Sequence, residues 1–462
     1  MLDFNTIQNV YFLGIGGIGM SALARFFNHS GKKVAGYDRT CTDLTNQLVS
    51  EGIAVHYTDD PALIPSGWDP GNTLVVFTPA VPADHQELNV LKNSGFSIHK
   101  RAEVLGLICR AHKTIAIAGT HGKTSVTTMT AHLLKSSTVD CSAFLGGISK
   151  NYGTNLLLSE TNSDWVVAEA DEFDRSFLHL HPQQAVITAM DADHLDIYGT
   201  HESVIESFNQ FASQVAPDGL LLIKNGLPIN PEILQSHRCL TYSLHGPADF
   251  YAVHIQLIEG AYQFDLVTPD GIIEKLVLNY PGLMNIENSI AASAMALNAG
   301  MTPDELRKGL PEYGGVKRRF DRHLQTPEFV LIDDYAHHPE ELKATILSVR
   351  DLYPGRKITG VFQPHLYTRT RDFADGFAAS LDLVDQVVLL DIYPARELPI
   401  EGVTSEVIFN KIQNPNKILC NKTELVGLSA TFDQGVILMM GAGDIELLVG
   451  PVKQKLMERT HV

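Results

Sequence analysis

Thr114-Ile115-Ala116-Ile117-Ala118-Gly119-Thr120-His121-Gly122-Lys123-Thr124 is the stretch on which the fold turns. Its first five residues are apolar or β-branched with no polar alternation, which reads as a strand buried on both faces of a parallel sheet. A glycine turn follows, and then a Thr-rich helix. In that setting the backbone amides of Gly119, Thr120, His121 and Gly122 can cradle phosphate oxygens. Lys123 offsets their charge, and the Thr124 hydroxyl can ligate Mg2+. A strict Walker A loop would carry glycine at position 117, where this chain has Ile117. The loop is a shorter G-T-x-G-K-T form in the correct strand–loop–helix order, an order that a chance glycine–lysine turn would leave unexplained.

Downstream, Glu169-Ala170-Asp171-Glu172-Phe173-Asp174 follows the apolar run Trp165–Ala168. Acids at a strand's carboxyl end beside a phosphate loop suit a hard cation. Mg2+ takes only one or two of them, because it keeps several waters. Glu169 is the expected ligand, whereas Asp174 reads equally well as a solvated helix cap. Asp191-Ala192-Asp193-His194-Leu195-Asp196 follows a second run, Gln184–Thr188. A histidine at a strand end among three carboxylates can ligate a second metal or position an attacking group, and the residues alone do not separate these roles.

Upstream, Gly14-Ile15-Gly16-Gly17-Ile18-Gly19 matches G-x-G-x-x-G directly after a strand at Asn9–Leu13 and opens a helix running from Ile18 to about His29. Its glycines permit a tight turn and close backbone approach, so that the first amides of the helix face a phosphate. Asp38, at the end of a strand over Lys33–Tyr37, is placed to accept ribose hydroxyls. Alone, the motif reads as a dinucleotide or nucleotide-diphosphate site, or as a turn needed only for helix–sheet packing.

The strand–helix rhythm extends outward from both loops. Thr73–Phe77 reads as a strand followed by a helix over Asp84–Asn93, and Gly219–Ile223 as a further strand. Residues 250–278 look like antiparallel strands with turns at Glu259-Gly260 and Pro269-Asp270-Gly271. A helix from Asn285 to Ala299 then stops at Gly300. A Gly/Arg-rich linker at 314–327 precedes a last cycle, with strands at Phe329–Asp333, Lys357–Phe362, Gln386–Leu390 and Val436–Met440 and helices starting near Pro339, Arg369 and Asp444. The fold class is α/β with three domains: Rossmann-like N-terminal (1–110), P-loop-type central (111–325) and Rossmann-like C-terminal (326–462).

Composition fits this division. A chain of 462 residues predicts two to four domains, and 44% hydrophobic residues supply ordinary cores and argue against global disorder. A formal charge of −18 argues against a nucleic-acid binder and against docking on anionic lipid, without excluding anionic small molecules. Cys41, Cys109, Cys141, Cys239 and Cys420 are scattered and include no C-x-x-C pair, so neither a disulfide framework nor a zinc knuckle is expected. Met1-Leu2-Asp3-Phe4 carries an acid where a secretory signal carries positive charge. No apolar run approaches the ~20 residues of a membrane span. A cytoplasmic location without membrane insertion is expected.

G-I-G-G-I-G, G-T-H-G-K-T, E-A-D-E and D-A-D-H-L-D, in that order and at domain-scale spacing, resemble the Mur ligases, the ATP-dependent amide-bond-forming enzymes of peptidoglycan precursor synthesis. The likeness covers essentially the whole chain. It continues in Asn285-Ile286-Glu287-Asn288, Lys317-Arg318-Arg319-Phe320, Asp333-Asp334-Tyr335-Ala336-His337-His338-Pro339 and Phe362-Gln363-Pro364-His365, and it is strongest toward the family's alanine-adding branch. The resemblance implies that the first domain holds UDP-N-acetylmuramate. The diphosphate would lie on Gly16, Gly17, Ile18 and Gly19, the uridine side near Asp38, and the muramyl lactate by Thr154 and Asn155. The central domain would be an ATPase that binds ATP and Mg2+ (or Mn2+). Lys123 and Thr124 would meet phosphate and metal, Glu169 would ligate the metal and His194 would stand near a second one. Asn285 and Asn288 would run along the adenine, Arg319 near the phosphates, and Asp334 toward the nucleotide ribose. Lys123, Glu169, His194, Asn288 and Arg319 form the implied catalytic set. Tyr335, His338, Arg369 and Arg371 would dock L-alanine in the third domain. The implied role is cell-wall biogenesis, and with it cell shape and division, by a monomer or homodimer whose partners are small molecules.

Two departures bear on the site. Many alanine-adding relatives read P-H-R-Y-x-R, whereas this chain reads Pro364-His365-Leu366-Tyr367-Thr368-Arg369. Carboxylate recognition then falls to Arg369, with help from Arg371 and His338. Several Mur ligases also bridge their metals with a carbamoylated lysine downstream of the D-H motif, but no lysine lies between Lys150 and Lys224 here. Three rival readings are weaker. A nicotinamide-dependent oxidoreductase leaves Lys123, Glu169 and the third domain idle. A tripeptide-adding Mur ligase shares E-A-D-E, yet Ser176-Phe177-Leu178-His179-Leu180 is more similar to the alanine-adding branch. A non-catalytic nucleotide-regulated binding protein has no need of the full lysine, acid and arginine set. The charge is uneven as well: residues 151–223 hold twelve acids against one base, Arg175, while Lys317, Arg318, Arg319 and Arg322 fall within six residues.

Overall fold

Most continuous apolar runs become parallel strands in the computed structural model, which describes residues 4–395 and 397–460 except for the side chains of Leu195 and Asp196. Met1-Leu2-Asp3 and the last acid of D-A-D-H-L-D therefore lie outside the described residues. The first sheet is built from β1 (Asn9–Leu13), β2 (Lys33–Tyr37), β3 (Ala54–His56), β4 (Thr73–Phe77) and β5 (Ser97–Lys100). Its order is β3-β2-β1-β4-β5 and every pairing is parallel. All five residues of β1 are buried, because helices cover both faces of such a sheet. Helix Ile18–His29 lays Met20, Leu23, Ala24 and Phe27 into the same core as Val10 and Phe12.

The second sheet comprises β6 (Lys113–Ala118), β7 (Ser142–Phe144), β8 (Leu156–Leu157), β9 (Trp165–Glu169), β10 (Gln184–Ile187), β11 (Leu220–Lys224), β12 (Arg238–Ser243), β13 (Phe250–Ile258), β14 (Ala261–Thr268) and β15 (Gly271–Leu278). The order β15-β14-β13-β12-β11-β10-β6-β9-β7-β8 puts β6 at the centre, between β9 and β10. Ile117 pairs with Glu169 on one side and Ala118 with Ile187 on the other. The chain leaves β6 toward β7 and β9, then returns to the opposite flank at β10. This makes the carboxyl end of β6 a topological switch point, where open α/β sheets bind ligands. The expected turn at Glu259-Gly260 is present with φ of 51° and 83°, the positive pair that a tight hairpin between neighbouring strands requires.

The third sheet contains β16 (Asp321–Gln325), β17 (Phe329–Asp334), β18 (Lys357–Phe362), β19 (Gln386–Leu389), β20 (Lys417–Leu419) and β21 (Gly435–Met440) in the order β16-β17-β21-β18-β19-β20. β16 runs antiparallel to β17 and the other pairings are parallel. The linker expected at 314–327 is corrected here: its second half is an edge strand. The strand's residues Asp-Arg-His-Leu-Gln carry no apolar run, because an edge strand needs little burial. The chain forms two compact units. One takes residues up to His254 with Phe264–Leu276 and Glu287–Tyr313. The other takes Ile255–Gln263, Val277–Ile286 and Gly314 onward.

Candidate active site

In the first unit the phosphate loop is held open by glycine. Gly119 has φ 138°, and a Cβ there would lie 2.0 Å from Thr188 Oγ1; Gly122 has φ 83° and caps helix Lys123–Lys135. Neighbouring residues fix the loop. Thr120 N–H donates to the Ala189 carbonyl at 3.1 Å, Asp191 N–H donates to Thr120 Oγ1 at 3.1 Å, and the Thr188 hydroxyl bonds the carbonyl of His121. The Asn288 carboxamide oxygen stands 3.0 Å from where a Gly122 Cβ would be, so helix Leu283–Asn298 lays Asn288 against the loop. Asn285, one turn earlier in the helix, belongs to the second unit, where its side-chain amide donates to the Pro281 carbonyl.

Lys123 reaches back across the loop. Its ammonium donates to the Gly119 carbonyl at 2.7 Å and lies 2.7 Å from the buried Glu172 carboxylate. Burial opposes the lysine's charge, but the carboxylates of Glu172, Glu169 and Asp171 outweigh it and hold its pKa above the ordinary value. Burial pushes Glu172 up, with Lys123 pulling the other way. His194, at φ 52°, brings Nε2 to 3.8 Å from both Glu172 and Asp193 and sets its ring edge-on to Phe173. Glu169 ends β9 with its carboxylate seated on Gly146, where a Cβ would come within 2.1 Å of it. The donor set for a metal is thus hard oxygen: the Thr124 hydroxyl at the first turn of its helix and Glu169 one strand over. Among the described residues, no group of three or more His, Cys, Asp or Glu forms a cage. Mg2+ ordinarily takes one or two carboxylates and completes its shell with water and phosphate oxygens, so these donors fit it.

The first glycine loop lies in the same unit. Gly16 N–H donates to Asp38 Oδ2 at 2.7 Å, and Thr40 N–H donates to Oδ1 at 3.0 Å, so both Asp38 oxygens shape the turn. Asn155 is buried. Its amide donates to Ile18 O and to Ser21 Oγ at 2.9 Å, while its oxygen accepts from Arg25. It ties its loop to helix Ile18–His29. Thr154 Oγ1 accepts from Leu156 N–H within that loop.

In the second unit, β17 ends in Asp333-Asp334. Asp334 accepts from Phe320 N–H at 2.7 Å and from Ala336 N–H at 2.8 Å. Arg318 and Phe320 have positive φ, and the turn between them is clamped further by Tyr335 N–H on the Arg318 carbonyl and by the Tyr280 hydroxyl on the Arg319 carbonyl. Both guanidinium groups stand 5.0 Å from the Tyr335 ring, and Arg319 lies 3.9 Å from Glu341. Burial raises Asp333 to about 7 against the pull of Arg318, and burial likewise raises Asp334. His337 is pushed down to about 4 by burial, which outweighs the Glu341 charge. His365 stacks on Tyr393, meets His337 edge-on and lies 3.5 Å from the buried Arg369. His338 caps helix Pro339–Leu352 and packs on Phe373.

Comparison with known proteins decides the family. Residues 9–113, 117–296 and 318–450 match the family models described as Mur ligase family, catalytic domain; Mur ligase middle domain; and Mur ligase, glutamate ligase domain. A UDP-N-acetylmuramate–L-alanine ligase from Parabacteroides distasonis is 55% identical, with 98% of each chain covered. One from Porphyromonas gingivalis strain W83 is 52% identical over 97% of this chain and 99% of that one. The chain belongs to the Mur ligase family. Among solved structures, a UDP-N-acetylmuramate–alanine ligase from Thermotoga maritima superposes on this Mur ligase with TM-score 0.81 at 26% identity, covering 98% of this chain and 99% of that one. A murein peptide ligase from Psychrobacter arcticus shares the fold, with TM-score 0.70 at 22% identity over 97% and 98% of the two chains.

Of the residues singled out beforehand, this Mur ligase gathers Gly119–Thr124, Asn288, Glu169 and His194 around β6. In the other unit it gathers Arg319, Asp334 and Tyr335, with His338 and Arg369 on the helices that follow. Arg371 is not gathered: it is exposed and paired with Asp372 at 2.7 Å. Two residues escaped the sequence reading. Glu172 was one of four acids with no reason to single it out, although a buried lysine demands a buried partner. Arg101 carries no motif signal at all, and the fold alone sets its guanidinium against Gly19 and Asp171.

Proposed function

We propose that this Mur ligase joins L-alanine to the lactyl carboxylate of UDP-N-acetylmuramate at the expense of ATP. The observation that carries the proposal is the phosphate loop on β6, with charged Lys123 across its mouth and Glu169 on the adjacent strand, in a chain that matches alanine-adding ligases end to end. A carboxylate is a poor acyl donor, because its leaving group would be oxide. An oxygen of the lactyl carboxylate attacks the γ-phosphorus, the bond from that phosphorus to the bridging oxygen breaks, and ADP leaves an acyl phosphate. The alanine nitrogen then attacks the acyl carbon, phosphate departs from the tetrahedral intermediate, and the nitrogen gives up a proton. Two anions meet in the first step, so Lys123 acts by placing fixed positive charge where negative charge develops. Thr124 and Glu169 would hold Mg2+ or Mn2+, and His194 would stand at a second such ion; when bound these supply further charge neutralisation.

In this reading Gly16–Gly19 take the diphosphate and Asn285 and Asn288 serve the adenine. Arg319 and Asp334 serve the nucleotide, and Tyr335, His338 and Arg369 hold the alanine carboxylate. Asp38, Thr154 and Asn155 shape the sugar-nucleotide site, and Arg371 is left outside. The proposed domain cuts lie near 110 and near 325, and the hydrogen bonding of β16 into the third sheet favours moving the second ahead of Asp321. Among the described residues no helix is long and apolar enough to cross a membrane. A cytoplasmic monomer or homodimer acting on small molecules completes the proposal. The test is phosphate release with ATP, Mg2+ and UDP-N-acetylmuramate, supplying L-alanine, L-serine, glycine and the tripeptide in turn. Release dependent on L-alanine supports the reading, and release with tripeptide alone overturns it.

A further inference from the structure

The fold places a cation, Arg101, at the first glycine loop, although no motif announces it. Helix Arg101–Arg110 begins where β5 ends, so Arg101 occupies its first position, at the positive end of the helix dipole. A cation is disfavoured there unless an anion faces it. Arg101 also crosses the start of helix Ile18–His29: a Cβ on Gly19 would lie 2.8 Å from Arg101 Nη1 and 3.0 Å from its Cδ. That second helix has no acid in its first turn and no side-chain cap. Its leading amides lack intrahelical acceptors and point their partial positive charge the same way. Two helix starts and one guanidinium therefore meet in one place. Two acids face them: Asp171, whose Oδ2 lies 3.1 Å from Arg101 Nη2, and Glu103 in the first turn of Arg101's own helix, which is engaged by Lys100 N–H at 3.3 Å and His99 Nδ1 at 3.1 Å. Asp38 belongs to the same loop, but its two oxygens are engaged by Gly16 and Thr40.

The Arg101–Asp171 pair is built in. Gly106, on the same helix, has no side chain where a Cβ would come 2.5 Å from the His179 carbonyl, so the helix seats directly on residues 173–179. A parallel pair, Lys100 to Asp174 at 2.8 Å, pins the adjoining position. Asp171 Oδ1 accepts from Phe173 N–H at 3.1 Å, which leaves Oδ2 to orient the guanidinium. Asp171 thus fixes one edge of the planar fork and leaves the remaining N–H donors for a second anion.

We infer that Arg101 is a ligand of the substrate diphosphate, contacting its oxygens above the start of helix Ile18–His29, and that Asp171 is the positioning residue that holds it there. The inference rests on the sugar-nucleotide reading of the first loop and adds to it the charged group that the loop's amides alone do not supply. The test uses the full chain and two commercial probes, UDP and uridine, with affinity followed by calorimetry or ligand-observed NMR. Arg101→Ala is expected to weaken UDP at least about tenfold, the usual loss for a charge-assisted hydrogen bond, while uridine is unaffected. Arg101→Lys keeps the charge but loses the fork and should weaken UDP a few-fold, again sparing uridine. Asp171→Asn should weaken UDP less than Arg101→Ala, and the double variant should be no weaker than Arg101→Ala alone. UDP affinity unchanged in both arginine variants, or equal losses for UDP and uridine, overturns the role of Arg101. Failure of the wild-type chain to bind UDP or UDP-N-acetylmuramate overturns the sugar-nucleotide reading together with it.

Discussion

At the scale of single residues, the pairs that matter are buried and charged, so removing one partner costs more than removing both. Lys123 and Glu172 stand 2.7 Å apart with Glu172 only 2% exposed. Glu172→Gln removes the nearest of the three carboxylates that hold Lys123 charged, and Lys123→Met strands the Glu172 carboxylate; each is expected to lose about 3–5 kcal/mol in urea unfolding. The double variant should recover much of that stability yet release no ADP, and full additivity of the two losses would show that the pair is not coupled. His337 offers a second residue-scale readout. Its folded pKa is depressed to about 4 from an ordinary value of 6.5. Its contribution to stability is therefore complete above pH 6.5 and is lost as pH falls toward 4. His337→Asn should flatten the fall in urea stability across that window by up to about 3 kcal/mol. Identical profiles for variant and wild type would mean that the ring titrates alike in the folded and unfolded chain, so that burial does not depress it.

At the scale of elements, hydrophobic runs announced the interior strands, and glycine with lysine announced the loops. β1, β2, β4, β18 and the helix after the first loop fall where a sequence reader places them, because strands buried on both faces must be continuously apolar. β3 and β20 are three-residue edge strands and β16 is polar, so burial writes no pattern into them. The same limit governs the site. Lys123 and Glu169 are legible because a loop or a strand end advertises them. Arg101 and Glu172 are defined by packing between elements distant in sequence. Gly106 shows what such packing demands. Glycine inside a helix normally costs about 1 kcal/mol relative to alanine, so Gly427→Ala, in helix Lys422–Leu428 with nothing within 4 Å, should stabilise by up to that amount. Gly106→Ala should do the reverse. A Cβ 2.5 Å from a backbone carbonyl forces the helix off residues 173–179, at about 1–3 kcal/mol by overpacking. A Gly106→Ala chain that melts higher than wild type would show that the contact yields freely.

At the scale of the whole molecule, the acid-rich stretch 151–223 looks in sequence like a reservoir of metal ligands. In the fold much of it is committed elsewhere. Glu160, Asp171, Glu172 and Asp174 are ion-paired with Lys135, Arg101, Lys123 and Lys100, bases that all lie outside the stretch. Those pairs bind segments of the first unit to one another. The Thr124 hydroxyl and the Glu169 carboxylate, the expected donors beside the phosphate loop, are too few to strip Mg2+ of its waters without phosphate to complete the shell. Metal and nucleotide should therefore bind as one. Mg2+ alone is expected to move the melting temperature by no more than about one degree. Mg2+ with ATP at a hundred times its dissociation constant should add about 2.7 kcal/mol, a shift of several degrees. Lys123→Ala should abolish the nucleotide shift and leave the shift produced by UDP, which depends on the other loop. A full shift with Mg2+ alone would mean that the carboxylates form a preassembled cage and that the ion pairs give way to it.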